Sequence, residues 1–227
     1  MNILHISDTH TFQDQIPVER FASIDTVIFS GDASIRRDIQ GNKEEILKFL
    51  EWYEKVPVKN KVFVAGNHDL SIERRKITPG DFAKAGIFYL ENSACIIDGL
   101  KFYGTPITPT YGEWAFMKQR NKTPEVWAKI PMDTDVLIVH GPPRGIRDLS
   151  YNRDNELEMC GDRALLSAVK LIQPKLMCFG HIHNVKDIEN QGVSTYATMQ
   201  TIFSNAACVE DGKFEYGLTS FGNIITL

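Results

Sequence analysis

Five short polar clusters, each at the end of an apolar run of strand type, constrain this chain more than any other feature. They read Asp8-Thr9-His10, Gly31-Asp32, Gly66-Asn67-His68-Asp69, His140-Gly141 and Gly180-His181-Ile182-His183, and they hold five of the six histidines. The runs ahead of them occupy residues 2–6, 26–30, 61–65, 136–139 and 176–179. Residues at the carboxyl ends of strands sit where open α/β sheets gather their ligands. Histidines scattered through a core would not repeat this arrangement five times.

Between the second and third runs, Ile46, Leu47, Phe49, Leu50 and Tyr53 recur at helical spacing, with Pro57 as a stop. Asn42 and Glu45 stand in capping-box positions ahead of them. A second stripe (Leu157, Cys160, Ala164, Leu165, Ala168, Val169 and Ile172) predicts a helix closed by Pro174. Residues 94–103 read as a hairpin around Asp98-Gly99, and 210–216 as another. A βαβαβ front half followed by hairpins predicts an α/β fold of two packed sheets flanked by helices. One domain over 1–227 is expected, long enough to bury a sizeable core.

Hydrophobic content of 43% and charged content of 24% are ordinary for a soluble protein. The sequence shows neither a signal peptide nor an apolar run of bilayer-spanning length, so no membrane partner is expected. Cys95, Cys160, Cys178 and Cys208 lie far apart without a CxxC pair, which suits buried thiols in a reducing, cytoplasmic compartment. A net charge of −4 argues against wrapping duplex nucleic acid, and Arg74-Arg75-Lys76 is too short a basic run to change that. Nothing in the sequence sets an oligomeric state.

Carboxylate, amide and imidazole donors without thiolate suit hard or borderline divalent ions. Two ions about 3.5–4 Å apart need a bridging carboxylate, and Asp32, alone at its strand end, is the natural one. Asp8 and His10 can turn to one ion, His181 and His183 can diverge to two, and Asn67 adds a neutral oxygen. His68 need not be a ligand: an imidazole there can stabilise phosphoryl charge and protonate a leaving oxygen. Asp69 is its candidate orienting partner. The expected nucleophile is a water or hydroxide shared by the ions, its pKa lowered by them.

In this order, D-x-H, G-D, G-N-H-D, H-G and G-H-x-H resemble the calcineurin-like metallophosphoesterase superfamily over nearly the whole chain. The stretches Gly104-Thr105-Pro106, Trp114-Ala115-Phe116 and His140-Gly141-Pro142-Pro143-Arg144-Gly145 are similar to small metallophosphoesterase-domain proteins of phosphodiesterase type. The resemblance implies a four-layer α/β/β/α sandwich with a dinuclear site. One ion would take Asp8, His10, Asp32 and His183, the other Asp32, Asn67, His140 and His181, with His68 catalytic. Manganese is the first candidate, with iron, zinc or cobalt as alternatives. The implied activity is hydrolysis of a small phosphodiester such as a cyclic nucleotide. A phosphomonoesterase or nucleotidase, or a catalytically weak nucleotide-binding or scaffold protein, are the alternatives.

Arg144 is a candidate phosphate contact, against a surface pairing with Asp148. Trp114 and Phe116 are read as core or lid packing ahead of base stacking, and Cys160 and Cys208 as core. His5, inside the first strand and outside every motif, is read as structural. Two departures stand out: residues 148–160 lack the expected glycine-rich link, and 33–37 are unexpectedly basic.

Overall fold

In the computed structural model, which describes residues 1–212 and 216–227, the front half runs β1 (Asn2–Ile6), β2 (Thr26–Phe29), α1 (Ile39–Lys55), β3 (Asn60–Phe63), α2 (Leu70–Glu73), α3 (Pro79–Lys84) and β4 (Phe88–Tyr89). The middle holds β5 (Ser93–Ile97), β6 (Leu100–Thr105), β7 (Thr108–Pro109), β8 (Met117–Lys118), α4 (Thr123–Trp127) and β9 (Val136–Val139). Then come β10 (Leu149–Tyr151), β11 (Leu157–Met159), α5 (Arg163–Ile172), β12 (Leu176–Phe179), β13 (Gly192–Tyr196), β14 (Met199–Asn205) and β15 (Asn223–Thr226).

Two mixed sheets result, ordered β15-β1-β2-β3-β4 and β13-β14-β12-β9-β6-β5. Period-two alternation then sorts their side chains into three apolar layers. From β2, Val27 and Phe29 pack against Phe49 and Tyr53 of α1, while Ile28 faces the other sheet. From β12, Leu176 and Cys178 join Ile28, Val62, Val136 and Ile138 between the sheets. Met177 and Phe179 turn outward onto Trp127, Leu165 and Val169 of α4 and α5. This is the α/β/β/α sandwich. Each central strand is buried on both faces, so its sequence reads as an unbroken apolar run. Truncating Phe29, stacked at 5.3 Å on Phe63, would cost about 3–5 kcal/mol.

The helix ends differ from the expectation. Asp38 caps α1, its carboxylate accepting from Gly41 N–H. Asn42 instead lies buried inside the helix, donating to the carbonyls of Arg36 and His68 and accepting from Ser71 N–H. Glu45 accepts from the amides of Ile35 and Arg36 rather than closing a capping box, and Leu47 is exposed. Asp162 caps α5, so Leu157 and Cys160 fall before it: Leu157 is in the β10–β11 hairpin, and Cys160 is only half-buried, not core. Cys95 is half-buried too, and all four cysteines are free thiols. The 93–105 hairpin forms with Asp98 and Gly99 both at positive φ. The second expected hairpin includes residues 213–215, which lie outside the described residues. Among the described residues no helix is long and apolar enough to cross a membrane.

Strands β1, β2 and β3 are parallel neighbours, as are β9 and β12 in the second sheet. Contacts between the two sheets' strand ends, His140 with the Ser30 carbonyl and His181 N–H with the Asp8 carboxylate, bring all five polar clusters together on one side.

Candidate metal centre

Four residues of the clusters leave their strands with left-handed backbone: Asp8 at φ 52°, His10 at 44°, Asp32 at 60° and His181 at 67°. Such strain in non-glycine residues persists only where surrounding structure holds it. Part of that structure is close backbone approach. A Cβ on Gly66 would lie 2.2 Å from Asp32 Oδ1, and one on Gly180 would lie 2.0 Å from Asp8 Oδ2.

The side chains converge in overlapping groups of potential ligand atoms, all within 4.8 Å inside each group: Asp8 with His10 and His183, His10 with Asp32 and His68, and Asp32 with His140 and His181. Asn67 joins the last, its Oδ1 lying 2.9 Å from His140 Nε2. Asp32 is thus common to two groups, and the rings of His10 and His183 stand 5.5 Å apart. Asp8, His10, Asp32, Asn67 and His140 are almost wholly buried.

His140 Nδ1 lies 2.8 Å from the Ser30 carbonyl, which can only accept, while Nε2 faces Asn67 Oδ1 and, at 3.2 Å, Asp32 Oδ2. A neutral imidazole has one N–H for these acceptors. His183 repeats the pattern, with Nδ1 2.7 Å from Asp211 and Nε2 3.1 Å from Asp8. Each ring therefore needs a second positive partner, a proton or a metal ion, on its Nε2 side. Burial alone would lower both. The facing carboxylates outweigh it, Asp32 raising His140 to about 9, and Asp211 with Asp8 raising His183 to about 10. Burial opposes ionisation of Asp8 and Asp32 as well, yet the histidines hold Asp8 at about 2 and Asp32 well below the usual range. Burial lowers His10 to about 4 and His181 to about 3, leaving them neutral donors at working pH. The Ser34 carbonyl, 3.1 Å from His10 Nδ1, fixes the tautomer with Nε2 as the lone-pair atom. The donor set fits divalent cations.

His68 sits at the rim of the cluster. Its backbone N–H donates to Asp32 Oδ1 at 2.7 Å, its ring packs 4.4 Å from Trp114, and its buried Nδ1 has no hydrogen-bond partner among the described residues. Asp69 does not orient that ring. Its carboxylate accepts from the amides of Gly66, Asp32, Ala33 and Ser34, with the Ser34 hydroxyl 2.9 Å away. It ties the second cluster to the third, and burial plus the Asp32 charge push it up to about 7. His5 bridges the hydroxyls of Ser30 and Ser204 at 2.8 Å each, a structural role.

Arg144 lines a cleft of 780 Å³ beside the donor set, with Tyr111, Arg120 and Met159 among its walls. It does not pair with Asp148, which accepts from the amides of Gly145 and Gly161. Trp114 faces the site, with Arg37 stacked 3.9 Å from its ring, whereas Phe116 is core. Asp211, behind His183, and Arg120 escaped sequence reading because neither lies in a motif. The Asp-Gly pair at 211–212 signalled only a turn.

The fold, with carboxylate, amide and imidazole donors gathered at its strand ends, is of the metallophosphoesterase class. The chain belongs to the calcineurin-like phosphoesterase family, which it matches over residues 1–185. It is 30% identical over 215 residues to metallophosphoesterase domain-containing protein 1 of Homo sapiens, covering 84% of this chain and 63% of that protein. It is 32% identical to UPF0046 protein K07C11.7 of Caenorhabditis elegans, covering 86% of this chain and 68% of that one. A further match at 32% identity is to the "Probable rhamnogalacturonate lyase C" of Emericella nidulans, where 81% of this chain aligns with 17% of a much longer protein.

Proposed function

We propose that the protein is a phosphodiesterase for small phosphodiesters, cyclic nucleotides among them, working at a dinuclear centre. Asp8, His10, Asp32 and His183 hold one ion, and Asp32, Asn67, His140 and His181 the other. Asp32 carries the reading, being the carboxylate grouped both with His10, itself grouped with Asp8 and His183, and with His140 and His181. Manganese is the first ion to test, with iron, zinc or cobalt next, and a cytoplasmic setting suits the free thiols.

Two divalent ions bound there would supply Lewis acidity and a water acidic enough to attack phosphorus at neutral pH. The chain's own residues do the rest. Burial of the donors keeps competing water away and strengthens their hold on charge. His68, with Trp114 against its ring and a ring nitrogen grouped with His10 and Asp32, gives a proton to the departing oxygen in this reading. A cleft of 780 Å³ leaves room for both substituents of a small diester.

The test is turnover of bis-p-nitrophenyl phosphate and p-nitrophenyl phosphate by Mn²⁺-loaded protein. Faster cleavage of the diester supports the reading. Cleavage of the monoester alone replaces it with a phosphomonoesterase or nucleotidase, and neither with a binding module.

A further inference from the structure

One wall of the cleft carries three arginines, Arg120, Arg144 and Arg163. Two are anchored on the same short stretch of backbone. Arg120 donates to the carbonyls of Gly161 and Cys160 at 3.2 and 2.9 Å, and Arg144 donates to that of Met159 at 2.6 Å. Arg163 follows directly as the first residue of α5. The two strips of chain are clamped together: Arg144 N–H donates to the Asp162 carbonyl at 3.0 Å, and Asp162 N–H to that of Pro142 at 3.1 Å. A Cβ on Gly161 would come within 2.6 Å of the Pro143 carbonyl, so this approach requires the glycine.

Among the described residues, none of these arginines has a carboxylate within 4.0 Å. Asp162 borders the same wall, but its carboxylate is engaged by Thr123, Trp127 and the Leu165 amide. Glu158 and Asp211 also line the cleft, yet among the described residues neither forms an ion pair with these arginines, so a chain of net charge −4 keeps three guanidinium groups without a direct carboxylate partner beside its donor set. Their planar forks match phosphate, and the remaining N–H groups of the two anchored ones are held in place for it.

We propose that this wall binds a second phosphate of the substrate, separate from the one hydrolysed, so that the preferred substrate carries two phosphate groups. The inference rests on the cleft being a phosphoesterase site and narrows its substrate class. The apolar surfaces of Met159 and Tyr111 line the same cleft and can cover the body joining the two phosphates.

Phosphonates resist hydrolysis, so they read binding apart from turnover. Mn²⁺-loaded protein, its ion content counted, is titrated by calorimetry with methylphosphonate and with linear alkane bisphosphonates of two to six carbons. At the best spacer length, the bisphosphonate is expected to bind about ten-fold tighter than methylphosphonate, the worth of a charge-assisted contact. Arg144→Gln/Arg163→Gln should abolish that advantage. Arg163→Gln alone, whose wild-type side chain makes no hydrogen bond among the described residues, should keep the fold and reduce the advantage, and Arg163→Lys should restore part. Equal affinity at every spacer length, or an advantage that survives the double substitution, overturns the proposal. Failure to cleave bis-p-nitrophenyl phosphate would instead count against the phosphodiesterase reading and leave this ratio standing.

Discussion

His140 Nε2 lies 3.2 Å from Asp32 Oδ2 while its Nδ1 meets the Ser30 carbonyl, so the ring cannot satisfy its neighbours as a neutral imidazole. Without metal a proton fills the gap, which is why His140 is raised to about 9 and, by the same logic, His183 to about 10. A metal ion arriving at neutral pH must displace those protons. Ion uptake at pH 7 should therefore release up to about two protons per chain, and affinity should rise with pH until these groups are deprotonated. Calorimetry in buffers of different ionisation enthalpy measures the release. A binding heat independent of buffer would contradict it.

His68 shares a donor group with His10 and Asp32, so a ligand role and an acid role must be separated. His68→Ala should lower kcat about 10²–10⁴-fold with both ions retained. Loss of an ion in the variant, by metal analysis, would make His68 a ligand instead.

Asp69 holds two loops together through four backbone amides. An amide at that position presents an N–H₂ to donors, so Asp69→Asn should destabilise the protein by about 2–4 kcal/mol in denaturant unfolding. Unchanged stability with a shifted pH–rate profile would restore the orienting role expected from sequence.

His5 is buried between Ser30 and Ser204, and burial lowers it to about 3. Its folded pKa lies below the unfolded 6.5, so between those values the unfolded chain binds the extra proton. Stability is intact above pH 6.5 and falls on acidification by about 1.4 kcal/mol per pH unit from this group. His5→Gln should flatten the acid limb by that slope. An identical limb would show that His5 does not titrate with unfolding.

The layers and the convergence of five clusters were legible because both depend on local pattern: continuous apolar runs, then a polar turn. What escaped depends on tertiary partners. Asn42 has the sequence context of a cap, but its amide is drawn into tying α1 to the loops at Arg36 and His68. Asp69 neighbours His68 in sequence, yet its carboxylate turns toward the amides of a loop more than thirty residues away. The unexpected basic stretch at 33–37 places Arg37 over Trp114, a stacking no spacing rule anticipates. Residues 148–160, lacking a glycine-rich link, fold as the β10–β11 hairpin, and Met159 within it walls the cleft.

The most direct test of the shared-carboxylate centre is titration of metal-free protein with Mn²⁺, followed by electron paramagnetic resonance. Two ions per chain with a spin-coupled spectrum are expected, and Asp32→Ala should lose both the coupling and the second ion. A single ion, or two uncoupled ions unaffected by Asp32→Ala, would contradict the account.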